Sequence, residues 1–248
     1  SATFPGFKLK EIDGRLFVDG GLYNSLPINL VRDKGYREII VVRTFGLGRR
    51  RRLDTSDLSV TYISPSESLG AILDFDNERA RKNLAMGYYD TFKVFKKLKG
   101  RRYYIRPLND DNYFISYLTG LSDSKIEKIC ELFGTDRCAG KRTLFEYIIP
   151  RIADLLDVSE SASYEDISIA MIENIAEISG VERFRIYDME ELLAETARRH
   201  KPVKDDFLRE IPGFLKRMDI ISKFIKDKIL GSIINELFED ISSRRSIS

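Results

Sequence analysis

Between Leu16 and Val42 the chain reads as strand, helix and strand within about thirty residues, and no other run constrains the fold as much. Leu16-Phe17-Val18 is a short apolar strand ending on a carboxylate, Asp19, which Gly20 and Gly21 follow. Pro27 is placed to start a helix in which Ile28, Leu30 and Val31 supply a buried side before Gly35 caps it. Glu38-Ile39-Ile40-Val41-Val42 is apolar and β-branched, the texture of a central strand covered on both faces. Such a unit predicts a right-handed crossover and a parallel sheet, and hence an α/β fold. An acid at a strand end, beside backbone that carries no bulky side chain, is how α/β enzymes present a catalytic group to a cleft.

The flanks extend this pattern and then change it. Glu11-Ile12-Asp13-Gly14-Arg15 predicts a hairpin turn, with Asp-Gly supplying positive φ angles. Val60-Thr61-Tyr62-Ile63 reads as a further strand stopped by Ser64-Pro65. A long helix is expected from Asn77 to Lys99, with Ala80, Leu84, Tyr88, Phe92 and Phe95 at helical spacing and Gly100 ending it. Beyond residue 110 no strand is expected. Helical periodicity runs through 122–133, 142–157, 165–178, 188–199 and 206–238, with Thr143 and Ser163 placed as N-terminal caps. Residues 1–110 carry 21 Lys and Arg against 13 Asp and Glu, while residues 111–248 carry 20 against 26. The sign change places a domain boundary near 110, at the turn-like Asn109-Asp110-Asp111-Asn112.

With these residues in place, 1–99 resembles the C-terminal half of the patatin-like phospholipase domain. Ser1-Ala2-Thr3-Phe4-Pro5-Gly6-Phe7 is similar to the family's small-residue, proline-bearing segment, and Ile12 to Gly21 to its Asp-Gly-Gly signature. Asn24 to Leu30, Gly35 to Val42, and Ile63-Ser64-Pro65 with Leu69-Gly70 and Leu73-Asp74-Phe75 follow in family order. The resemblance implies the C-terminal part of a three-layer α/β/α domain over residues 1–105, and the helical periodicity beyond it adds a helical region over 111–248. It also implies a lipid acyl hydrolase of phospholipase A or lysophospholipase type, working through a serine–aspartate dyad without histidine. In that mechanism a Gly-x-Ser-x-Gly serine attacks the ester and Asp19 is the base, while a glycine-rich loop feeds N–H groups to the oxyanion. Gly20 and Gly21 then let the backbone turn away without crowding the nucleophile.

The serine of that dyad is not in these 248 residues. Ser66-Glu67-Ser68-Leu69-Gly70 is the nearest imitation, but Glu67 and Leu69 replace the small flanks a strained nucleophile turn needs. The chain is therefore expected to start inside a domain whose upstream half was removed or sits on another polypeptide. On that reading the chain alone is inactive, and the missing half is its first partner. The competing reading is a non-catalytic scaffold that binds lipid or regulates.

Other features leave alternatives open. Arg49-Arg50-Arg51-Arg52 suits anionic lipid headgroups, at ~1 kcal/mol per basic residue near a membrane, or is a solvated loop. Nucleic acid is not expected, because no aromatic interleaving accompanies the arginines. The series Phe214, Met218, Ile221, Ile225, Ile229, Ile233 and Leu237 suits a membrane-lying lid or a helix packed on a core, the second being the commoner use. His200, the sole histidine, reads as the solvated cap of a basic helix end. Cys130 and Cys138 read as two reduced thiols, and no metal or cofactor is expected. No transmembrane run and no signal peptide are seen. With the resemblance, the expected setting is cytoplasmic and bacterial, with peripheral approach to membranes.

Overall fold

The computed structural model describes residues 8–45, 55–71, 76–108, 110, 112–135, 138–159, 161–200 and 230–239. The chain divides into two compact units, Ser1–Val94 and Phe95–Ser248, built of helices and small two-stranded sheets.

In the first unit, strands β1 (Lys10–Ile12) and β2 (Arg15–Phe17) form an antiparallel hairpin in which Ile12 faces Arg15. Asp13 and Gly14 both take positive φ, 50° and 72°, as a tight primed turn requires. Helices α1 (Gly21–Asn24) and α2 (Ile28–Asp33) follow, then strands β3 (Glu38–Val42) and β4 (Ser59–Ile63), which pair in parallel with Val41 opposite Tyr62. The expected strand–helix–strand crossover therefore differs from the structure. Among the described residues β2 pairs only with β1, and the parallel partner of β3 is the later strand β4.

The core of this unit is thin. Ile28 of α2 packs on Ile39 and Val41, with Leu26, Leu58 and Val60 around them. The other face of β3 is not covered: Ile40 and Val42 are 59% and 67% exposed, against the expectation of a strand buried on both sides. Leu30 and Val31, expected on the buried side of α2, are exposed as well. Helix α3 (Asn77–Phe95) stops four residues before the expected Lys99. It buries Met86 and Asp90, while Leu84 of the expected apolar stripe is 78% exposed and Tyr88 and Phe95 are also exposed. Asp90 accepts the Ser66 amide at 2.8 Å and the Ser66 hydroxyl at 3.2 Å, tying the loop after β4 to this helix.

The second unit has a large core. Residues assigned by sequence to the first domain open it: Tyr103, Tyr104 and Ile105 are buried, and strand β5 (Tyr104–Ile105) pairs in parallel with β6 (Ile186–Tyr187). That pair corrects the expectation of no strand beyond 110. It escapes sequence reading because two residues carry no periodicity. Around it stand α4 (Tyr113–Thr119), α5 (Asp123–Phe133), α6 (Lys141–Thr143) running through a π-helical turn (Leu144–Ile148) into α7 (Ile149–Leu155), α8 (Tyr164–Ile178) and α9 (Met189–Arg199). Ser163 and Asp166 form a reciprocal capping box on α8, as expected. Thr143 is not a cap. The helical run starts earlier, at Lys141, and the Thr143 hydroxyl accepts the Ala139 amide at 2.8 Å.

Residues 230–239 form a helix, α10, whose Leu230, Ile233, Ile234, Leu237 and Phe238 are buried in the same core. Phe238 stacks on Tyr117, and the Tyr117 hydroxyl donates to the Leu237 carbonyl at 2.6 Å. This part of the amphipathic series thus faces a core; residues 206–229 lie outside the described residues. Cys130 and Cys138 form a disulfide across a Cα separation of 6.0 Å, correcting the expectation of two reduced thiols. The chain reverses after Phe133 and brings position 138 back beside α5, a geometry that sequence spacing does not reveal.

Candidate functional site

Asp19 lies two residues past the end of β2 and just before α1. The hairpin positions it, since β2 is anchored through its register with β1 and α1 begins at Gly21. One carboxylate oxygen, Oδ1, accepts the Gly21 amide at 2.7 Å, and the Asp19 carbonyl accepts the Leu22 amide at 3.1 Å. The side chain is therefore held by its own turn, an arrangement aspartate favours because its short chain reaches the backbone two residues on. The second oxygen, Oδ2, accepts nothing among the described residues, and the residue is only half-buried. A carboxylate with one oxygen oriented and the other open is suited to receive a proton from an approaching hydroxyl.

The backbone at Gly20 is unstrained. Gly20 has φ −59° and ψ −26°, ordinary right-handed helical backbone, and a Cβ placed on it would meet nothing within 4 Å. Neither its conformation nor any described residue therefore requires a glycine there. The space above it is open, so a need for glycine would come only from a group approaching from outside this unit.

Of the other expected contributors, Arg49, Arg50, Arg51 and Arg52 lie outside the described residues. Ser68 is exposed and its hydroxyl accepts the Gly70 amide at 3.2 Å, as an ordinary loop serine does. His200 is half-buried, not a fully solvated cap. It ends α9, its Nδ1 lies 3.3 Å from the Ser179 hydroxyl, and burial pushes its pKa below the ordinary histidine value. No described carboxylate contacts His200, so the pair is not a triad. Sequence reading had no access to this pair, which joins two helix ends 21 residues apart.

Among the described residues, no group of three or more His, Cys, Asp and Glu is arranged to hold a metal ion, and no helix is long and apolar enough to cross a membrane. Comparison with protein-family models, curated proteins and solved structures finds no match to this chain.

Proposed function

We propose that this chain is the base-bearing part of a patatin-like lipid acyl hydrolase, supplying Asp19 to a serine carried on polypeptide outside these 248 residues. The observation that carries the reading is the Asp19 turn: an oriented carboxylate with one open oxygen, beside a glycine over which space is free. In the proposed reaction the serine hydroxyl attacks the acyl carbonyl of a phospholipid or similar ester as its proton passes to Asp19 Oδ2. That proton then goes to the departing alcohol, and water repeats the sequence to release the fatty acid. Oxyanion donors belong, on this reading, to the same outside segment as the serine.

The uncovered apolar faces support the same reading. Parallel strands occur almost only in sheets covered on both sides. The exposed Ile40 and Val42 are then the surface on which the serine-bearing half completes the three layers, together with the open edges of β3 and β4. Phospholipid is the expected substrate class, and approach to a membrane surface is peripheral.

The test begins with the encoded sequence upstream of Ser1. A glycine-rich loop and Gly-x-Ser-x-Gly are expected there, and the longer protein should hydrolyse short-chain phospholipid esters while the 248-residue chain does not. Asp19→Asn in the longer protein should abolish turnover, by a factor of about 10³ or more, with its far-UV circular dichroism unchanged. Retained turnover in that variant removes Asp19 from the mechanism. Absence of both upstream motifs leaves the non-catalytic scaffold in its place.

A further inference from the structure

Arg43 is the residue immediately after β3, at the carboxyl end of the parallel β3/β4 pair. Its amide donates to the Ile63 carbonyl at 2.8 Å, which continues the ladder by one step and fixes the backbone there. Its guanidinium carbon lies 4.9 Å from the Phe45 ring centre and 5.7 Å from that of Tyr62, so the cationic group rests against two rings that are themselves exposed. The Nε atom is buried and has no hydrogen-bond partner, and among the described residues no carboxylate pairs with the side chain. An arginine stays charged under all ordinary conditions, and buried N–H groups are rarely left without an acceptor. In parallel α/β sheets, ligands bind outside the carboxyl ends of the strands. The other described arginines of this unit with ion pairs, Arg32 and Arg37, meet Asp33 and Asp57. Among the described residues Arg43 is charged, oriented and without a counter-charge at the end of the sheet where ligands bind.

We infer that Arg43, resting against Phe45 and Tyr62, binds the phosphate-type oxyanion of an anionic amphiphile, the head group of a phospholipid. The edge formed by its two Nη groups offers two parallel N–H donors to two oxygens, and the neighbouring rings add apolar surface that suits the glycerol and acyl stems of such a ligand. The inference rests on the acyl-hydrolase reading for the lipid part of the ligand, not for the oxyanion.

The probes are dihexanoylphosphatidylglycerol below its micelle concentration, neutral dihexanoylglycerol, and inorganic phosphate, each titrated by calorimetry into the 248-residue chain. The Arg43 Nε–H resonance is followed in parallel. The anionic lipid should bind saturably and shift that resonance, and Arg43→Gln should weaken binding about tenfold, as loss of a bidentate charge-assisted contact does. Arg43→Lys, which keeps the charge and loses the fork, should bind between the two and guards against misfolding of the first variant. Replacing Arg49 to Arg52 with serine should leave binding within about twofold, because a diffuse charge cluster does not hold one head group in one geometry. Binding that is unchanged in Arg43→Gln, or lost with the Arg49–Arg52 replacement, overturns the inference. Inorganic phosphate binding as tightly as the lipid overturns the head-group assignment, as does the neutral lipid binding equally well. The two readings separate cleanly: turnover that survives Asp19→Asn, with Arg43-dependent binding intact, removes the hydrolase mechanism and keeps the anion site.

Discussion

Glu173 offers the sharpest test of what holds the second unit together. It lies in α8, buried, and its carboxylate accepts three consecutive backbone amides: Arg101 on Oε2 at 2.9 Å, Arg102 on Oε1 at 2.9 Å and Tyr103 on Oε1 at 2.7 Å. The turn wraps the carboxylate so closely that a Cβ on Gly100, whose φ is +93°, would stand 2.6 Å from Oε1. Glu173→Gln keeps the shape and one acceptor oxygen. With that oxygen placed to serve Arg102 and Tyr103, the new NH₂ group faces the Arg101 amide, donor against donor. The two surviving bonds lose charge assistance, about 1 kcal/mol each, and the part-buried Arg101 amide loses its acceptor, about 1 kcal/mol. The expected cost is about 3 kcal/mol, a drop in melting temperature of about 6–12 °C for a unit of this size. Urea unfolding followed by tyrosine fluorescence reads it directly, since the chain has 12 tyrosines and no tryptophan. Gly100→Ala should cost a comparable amount through strain and the clash with Oε1. The double variant Glu173→Ala with Gly100→Ala should be less than additive, because the collision with Oε1 is gone while the strain and the 2.7 Å approach to the Tyr103 carbonyl remain. A Glu173→Gln protein within about 0.5 kcal/mol of the parent refutes the claim that the carboxylate organises this turn.

Two further outcomes follow from the same unit. Reducing the disulfide frees a loop with a sequence separation of 8, so chain entropy sets the loss at about 2.5 kcal/mol, visible as a lower urea midpoint in reductant and absent in Cys138→Ser. Burial lowers the folded-state pKa of His200 below its unfolded value, so the unfolded chain takes up the proton first as pH falls through about 6.5. Stability is then fully present above that pH and declines below it until the folded pKa is passed. The single histidine resonance should titrate below about 6.5, and His200→Gln should flatten the acid limb of the stability curve; a normal titration midpoint contradicts the burial argument.

Helices with their own local signals were legible in the sequence, and elements defined by distant partners were not. Ser163 with Asp166 announces α8 because a capping box is complete within four residues. Asp13-Gly14 announces the hairpin for the same reason. The β5/β6 pair joins residues 104–105 to 186–187 and leaves no periodic trace, so the membership of 104–105 in the second unit is not legible in the sequence. At the candidate site, Asp19 was legible because a lone carboxylate after an apolar strand is conspicuous. Arg43, the residue immediately after β3, was not, because a single arginine after a strand is common and its ring contacts with Phe45 and Tyr62 depend on how β3 and β4 pair. The His200 and Ser179 contact depends on how two helix ends meet, which spacing cannot encode.

The two units supply an internal comparison that bears on the proposed function. Both contain amphipathic helices with apolar residues at spacings of three and four. In the second unit such a stripe, Leu230 to Phe238 of α10, is fully absorbed into the core. In the first, the stripe containing Leu84 and Tyr88 of α3 is exposed, the second face of β3 is exposed, and Leu16, Phe17 and Val18 beside Asp19 are exposed too. The same kind of pattern is satisfied in one unit and open in the other, so the open faces are not a general property of how this chain packs. Exposed apolar residues gathered on one face, as Ile40 and Val42 are on β3, suit a covering partner. The proposed function gives these faces one occupant: a polypeptide that covers the sheet and sets a nucleophile against the open oxygen of Asp19. On that proposal the thin core around Ile28, Ile39 and Val41 is half of a larger one, and assembly of the domain and assembly of its active site are a single event.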